Sequence, residues 1–396
     1  MTAARRFFIS LLTDLVHGQA KAKFDPDIDW DELYSIAEDH TLAGALYLPL
    51  RALSEKGEAI PEEALQRFHS AFHCEIYFSV NREKMLGEAL GAFEKAGARA
   101  VPFKGWLLRE YWPVPEVRHM SDIDLVIDHK DRKVTDDVMM ELGYTRGEGN
   151  HAVWVYSEKD VMFELHDHMF YDRLSNDVDY IGYFDKVWDR SEAGIDPGSH
   201  MVYTIAHMAK HITNQGIGFR AFLDLVFISR DPENGIDWKW LEGELKKLEL
   251  WDFTRICFSL CRRWFDVILP VPFVHLSKEF FDSTTEKMFN DGMFGLENRQ
   301  NAAAGTAKAI RRSGGYVKGA IRLMIGRLFP RYRDMQLTPQ YKFVDGRPWL
   351  LPAAWVYRWG YCIKHKRSDS MELLSEPVKK RREVEEREKL LSDWGL

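Results

Sequence analysis

Asp122 and Asp124 are separated by one residue in the run Arg118-His119-Met120-Ser121-Asp122-Ile123-Asp124-Leu125-Val126-Ile127. The apolar, β-branched positions from Ile123 onward read as a strand, and a strand turns alternate side chains to one face. Two carboxylates then stand side by side, about 7 Å apart along the backbone. Like charges this close are costly without a cation between them. A hard divalent ion, Mg²⁺ or Mn²⁺, meets that need because it takes carboxylate oxygen together with phosphate. Two such ions support in-line phosphoryl transfer. Spacing alone also fits a strand start with solvated acids, so the neighbouring residues have to decide.

Upstream, Val101-Pro102-Phe103-Lys104-Gly105-Trp106 ends a strand in Lys-Gly and opens a helix. Gly105 lets backbone amides approach phosphate, the helix N-terminus favours negative charge, and Lys104 adds a point charge. Downstream, Val161-Met162-Phe163-Glu164-Leu165-His166 turns Phe163 and Leu165 one way and Glu164 and His166 the other. Glu164 supplies a third carboxylate, and His166 can orient it. Glu164, His166 and His168 share a strand face, which also suits a Zn²⁺ or Mn²⁺ site. His207 and His211 stand one helical turn apart, but His207-Met208-Ala209-Lys210-His211 lacks the glutamate of a zinc protease, so a structural or cleft-lining pair is expected. Arg220 and Asp224, four apart on a following helix, are expected to pair with each other. Mutual repulsion among the acids predicts that Asn in place of Asp122 or Asp124 leaves the metal-free fold no less stable.

These residues need elements to position them. Residues 1–95 place apolar side chains with helical period, as in Leu33, Ile36, Ala37, His40 and Ala43, and define a helical N-terminal region. From 96 to 195 the pattern becomes β-α-β-α-β-β. Strands are expected near Ala98 to Phe103, Asp124 to Ile127, His151 to Tyr156 and Val161 to His168, with a helix from Asp131 to Leu142 closed by Gly143. Asp196-Pro197-Gly198 marks its end. Helical period returns over 196–300, a helical domain closing the cleft, and 301–396 is a basic, mostly helical C-terminal region. The fold class is therefore α+β: a small mixed sheet flanked by helical regions. Trp106 and Trp112 are expected to fill a core.

With 396 residues the chain has material for several packed units. A formal net charge of −7 argues against a surface built throughout for nucleic acid. A polyanion or an anionic membrane surface would have to bind locally. The candidate is 308–333, where Lys308, Arg311, Arg312, Lys318, Arg322, Arg327, Arg331 and Arg333 occur without an acid among them. Lys379 to Lys389 mixes both signs and reads as a solvated helix or frayed end. The four cysteines, Cys74, Cys257, Cys261 and Cys362, form no paired motif and read as reduced core residues. Asp14 interrupts the apolar run that follows Arg5-Arg6, and no stretch approaches the roughly 20 apolar residues of a membrane span, which together place the protein in the cytoplasm.

Lys104-Gly105 before a helix, Tyr111, Arg118, Asp122-Ile123-Asp124-Leu125-Val126, Leu142-Gly143-Tyr144 and Glu164-Leu165-His166 form a set. That set resembles the uncharacterised bacterial nucleotidyltransferase family of the polymerase-β superfamily. The likeness continues through His207, His211, Arg220 and Asp224. It implies transfer of a nucleoside monophosphate from an NTP with release of pyrophosphate. Asp122 and Asp124 would hold metal, with Glu164 as third ligand or general base. Lys104, Gly105 and Arg118 would engage the triphosphate, and Ser121, His166, Arg220 and Asp224 complete the expected nucleotide-binding set. Gly105-Trp106 stands where the wider superfamily has Gly-Ser, which leaves Ser121 as the candidate hydroxyl. The acceptor is not readable. A non-catalytic nucleotide- or partner-binding module and a hydroxyl kinase on the same core are the competing readings.

Overall fold

In the computed structural model the described residues are 1–147, 153–171, 174, 178–192, 194–214 and 216–292, then 318, 321, 324–326, 328–332, 335, 339–344, 346–365 and 388–396. Most of the basic segment 308–333, including Lys308, Arg311, Arg312, Arg322, Arg327 and Arg333, lies outside them, as do His151 and nearly all of the 379–389 tail. Contacts divide the chain into two compact units. The first comprises Met1–Arg173, Val178–Ile212 and Gly216–Leu296, and the second Leu174–Asp177, Thr213–Gln215 and Glu297–Leu396.

The first unit begins with four helices: α1 (Ala3–His17), α2 (Trp30–Asp39), α3 (Ala43–Glu55) and the long α4 (Glu62–Lys95). Thr2 caps the start of α1 by accepting from the Arg5 amide, and Gly18, at φ +60°, ends it. The apolar run of α1 buries Phe7, Phe8, Leu11 and Leu12, each worth about 2 kcal/mol of transfer free energy. Asp14, which breaks that run, is buried and accepts the amides of Lys21 and Ala22 at 2.8 and 2.7 Å. Its carboxylate therefore replaces the hydrogen bonds it would have made to water.

The sheet follows as β1 (Ala100–Pro102), β2 (Ile123–Ile127), β3 (Thr145–Arg146), β4 (Val153–Glu158) and β5 (Val161–His166), with the short α5 (Gly105–Arg109) after β1 and α6 (Arg132–Glu141) after β2. Its spatial order is β1-β2-β5-β4-β3, and only the β2/β5 pair is parallel. This is the mixed α+β arrangement read from the sequence, with β3 added. Two residues are too few to leave a periodic signal. Alternation sorts the two faces. Ile123, Leu125 and Ile127 of β2 join Phe163 and Leu165 of β5 in a core closed by Leu86, Ala89 and Phe93 of α4 and by Val138 and Met139 of α6. Asp124 and Glu164 are register partners, as are Val126 and His166, so the polar members face the other side together.

That side carries α7 (Tyr180–Asp189), α8 (Pro197–Asn214) and α9 (Phe219–Arg230), followed by α10 (Trp238–Lys247), α11 (Trp251–Phe265) and α12 (Lys278–Asp291). Asp196-Pro197-Gly198, which marks the end of the sheet region, is a helix start: Asp196 accepts the Ser199 amide at 2.9 Å, and Pro197 occupies the first helical position. Cys257 and Cys261 lie buried on α11, whereas Cys74 is exposed on α4 and Cys362 half-buried, so only the first two are core residues. No helix of the described residues is long and apolar enough to cross a membrane.

The second unit has its own small core of Met335, Tyr341, Val344 and Ala354. Its helix Leu351–His365 sends Trp355 and Trp359 back to the carbonyls of Pro330 and Leu328, both at 2.8 Å.

Candidate functional site

The open face of the sheet and the helices α8 and α9 enclose a pocket of about 470 Å³ within the first unit, a size suited to a nucleotide-sized ligand. Its walls include Lys104, Gly105, Arg118, Ser121, Asp122, Asp124 and Glu164 from the sheet side, and Tyr203, His207, His211, Arg220 and Asp224 from the helices. Of the residues singled out in the sequence, His166 is the one beneath this lining. It is fully buried and joined to the site through Asp124.

Asp124 is the hub. Its Oδ1 accepts from Lys104 Nζ at 2.5 Å and lies 2.7 Å from His166 Nε2, and His166 Nε2 in turn is 3.4 Å from Glu164 Oε2. Burial opposes ionisation of Asp124, but Lys104 and His166 outweigh it and hold the carboxyl down at about 2. Burial likewise disfavours the Lys104 ammonium, and Asp124 reverses that and raises it. Asp122 precedes β2 by one residue and gains no such cation. Burial, then the adjacent Asp124 charge, push it up to about 6. Asp124, Glu164 and His166 each offer a ligand atom, all within 4.8 Å of one another, a group that can hold a metal ion.

Lys104 takes φ +52°, an unusual conformation for a residue with a side chain. It lies two residues past the end of β1, and this turn brings its ammonium to Asp124 on the sheet face. Gly105 also matters for a reason the sequence did not suggest: a Cβ there would meet Arg118 Nη1 at 2.7 Å, so the guanidinium would have to shift. The helix it opens spans five residues, too short to present a substantial dipole to an anion.

Arg118 is committed elsewhere. Its Nε and Nη2 donate to the two oxygens of Asp224 at 2.9 and 2.8 Å, and Trp112 Nε1 donates to the same carboxylate at 2.8 Å. The expected Arg220–Asp224 pair is thus replaced by a fork-to-fork pair between β-sheet and helix sides, because Arg118 reaches Asp224 with two donors at once. Arg220 turns instead to Thr41 Oγ1 and the His119 carbonyl at 2.8 and 3.0 Å, both through Nη1, and no carboxylate among the described residues pairs with it. Burial and then the charge of Arg118 lower it to about 10, still a cation at neutral pH. His168 leaves the strand face and meets Asp185 at 2.8 Å, which removes it from the Glu164/His166 group. His207 and His211 line the pocket with their Nε2 atoms 2.8 Å apart. Burial, followed by His211 and Lys104, pushes His207 well below the usual imidazole range.

Among the lining residues that sequence reasoning did not single out are Tyr171, Tyr203 and Lys210. Tyr203 falls in the apolar helical period of α8, so it gives no separate signal. Lys210 had a signal, since it lies seven residues after Tyr203 and next to His211, on the same face of α8.

A small mixed sheet with clustered acids on its open face, roofed by helices, has the architecture of a nucleotidyltransferase core. Residues 26–266, more than half of the chain, match the family described as Uncharacterised nucleotidyltransferase, and the chain belongs to it. No curated protein and no solved structure matches.

Proposed function

We propose that this protein transfers a nucleoside monophosphate from an NTP to a hydroxyl or phosphate acceptor, releasing pyrophosphate. The observation that carries this is the register pairing of Asp124 with Glu164 at the floor of a pocket whose wall holds a guanidinium with no hydrogen-bonded acid among the described residues. Asp124 and Glu164 converge with His166 on one metal-sized site, while Asp122 stands outside that group beside Asp124. Carboxylate oxygens of this kind suit Mg²⁺ or Mn²⁺, and Asp124, Glu164 and, next to them, Asp122 would hold the ion. Bound there, such an ion neutralises phosphate charge and lowers the pKa of an attacking oxygen.

The chain's own groups divide the remaining work. Arg220 binds phosphate: nearby carboxylates lie around it, but none among the described residues is hydrogen-bonded to it, so its donors are not held by an acid. Lys104 holds Asp124 ionised and, as part of the pocket lining, would offer its ammonium to the phosphates. Ser121, exposed at the pocket rim, offers a hydroxyl to the triphosphate. Glu164 accepts the acceptor's proton, and His166 positions both carboxylates. Arg118, Asp224 and Gly105 support the nucleotide-binding wall.

The test is incubation with each α-³²P NTP, Mg²⁺ and a cell extract, followed by analysis of both products. A labelled acceptor and pyrophosphate are expected, and both should vanish with Asp124→Asn. A nucleoside diphosphate would establish the kinase reading instead. Binding of NTP without turnover of any kind would leave a nucleotide-binding module.

A further inference from the structure

Two imidazoles on the α8 side of the pocket have no task in that reaction. His207 and His211 are one helical turn apart, and both line the pocket. Their Nε2 atoms converge to 2.8 Å. Four other histidines of the first unit rest on acids: His119 on Glu75, His129 on Asp167, His166 on Asp124 and His168 on Asp185. His207 instead has Tyr203 Oη 3.4 Å from its Nδ1 and His211 at its Nε2.

We propose that His207 and His211 form a chelating clamp for a borderline divalent cation of the Zn²⁺, Co²⁺ or Ni²⁺ kind, separate from the carboxylate group on β2 and β5. Side chains four apart on a helix project to one side, and two histidines so placed are a recurrent ligand pair. Zn–N bonds of ~2.0–2.1 Å at a tetrahedral angle put two nitrogens about 3.3 Å apart. The pair therefore needs to open by only about half an ångström to seat an ion. Tyr203 Oη stands at the outer nitrogen of His207, where a partner fixes ring orientation and tautomer. Imidazole favours borderline metals and carboxylate favours Mg²⁺, so one pocket sorts two kinds of ion. Remaining coordination positions open into the pocket and would take an oxygen of water or of the acceptor. A plain N–H···N hydrogen bond gives the same separation, and binding separates the two.

His69 and His73 on α4 have the same 2.8 Å separation away from the pocket lining, so they must be removed first. The full chain carrying His69→Gln and His73→Gln is titrated with Co²⁺ in excess Mg²⁺, which fills the carboxylates. Binding is followed by visible absorption and calorimetry. The expected result is one equivalent of Co²⁺ with an imidazole-type spectrum, lost in His207→Gln and in His211→Gln. His211→Cys, which keeps a ligand, should retain it with an added thiolate band. No saturable Co²⁺ binding, or binding unchanged by His207→Gln and His211→Gln, overturns the clamp. Thermal melts and Mg²⁺-NTP binding are measured on the same preparations. Folded protein that binds nucleotide but no Co²⁺ refutes the clamp alone, and the reverse refutes the nucleotide reading alone.

Discussion

Asp124 and Asp224 each accept from a cation at the same pocket, at 2.5 Å from the half-buried Lys104 in one case and at 2.8 and 2.9 Å from the buried Arg118 in the other. The Arg118–Asp224 pair is bidentate and Trp112 adds a third donor, so both oxygens of that carboxylate are engaged. Lys104 is a point charge on one oxygen, beside a second acid, Asp122, that has no cation bonded to it. An ammonium in that position is exchangeable for a divalent ion. A guanidinium fork is not, because substitution would cost its planar match. We read the first pair as a placeholder and the second as a strut.

The largest effect expected from breaking this contrast is at the strut. Asp224→Ala strands a guanidinium and an indole N–H in a buried wall and should cost about 3–5 kcal/mol in urea unfolding. A loss below about 1 kcal/mol would mean the pair behaves like a surface bridge.

Next come the two acids of the motif, which the structure separates. In metal-free protein Asp124→Asn should destabilise by about 2 kcal/mol, since it weakens the bonds to Lys104 and His166. Asp124 is held near 2 in the fold, below its unfolded value of about 4. Its contribution is therefore complete above about pH 4 and fades as the pH falls towards 2. Asp122 is the reverse, at about 6 in the fold, so its ionisation opposes folding. Asp122→Asn should stabilise by about 2 kcal/mol near pH 7, and the gain should disappear below about pH 4. Thermal melts of both variants in EDTA from pH 3 to 8 check the opposite signs. The expectation that both substitutions are harmless to the apo fold is thus corrected for Asp124, because repulsion is only half of its surroundings.

Smaller effects concern ligands. Lys104→Met should tighten Mn²⁺ binding without nucleotide by roughly 10-fold or somewhat more, about 1.4–2 kcal/mol, and weaken NTP binding. Unchanged Mn²⁺ affinity by electron paramagnetic resonance would show that Lys104 is no placeholder. Arg220→Gln should raise the Kd for Mg²⁺-NTP by about 10-fold, or ~1.4 kcal/mol, with little shift in melting temperature. Arg118→Gln, by contrast, should lower the melting temperature first.

What could be read in the chain itself was whatever depends on near neighbours. Alternation along Ile123 to Ile127 and Val161 to His166 determined which side chains share a face, and it put Asp124, Glu164 and His166 on the polar one. Helical period and caps such as Gly143, at φ +90°, marked the elements that carry them. Partner choice was another matter. Asp224 lies four residues from Arg220 yet pairs with Arg118, 106 residues away, and His168 turns from Glu164 to Asp185. Lys104 meets Asp124 across a strand pair rather than waiting for phosphate. Periodicity reports direction from a local axis, whereas a charge pairs with whatever opposite charge the packed helices bring within about 3 Å. Only the pairing of β1 with β2 and the docking of α7 and α9 against the sheet decide that.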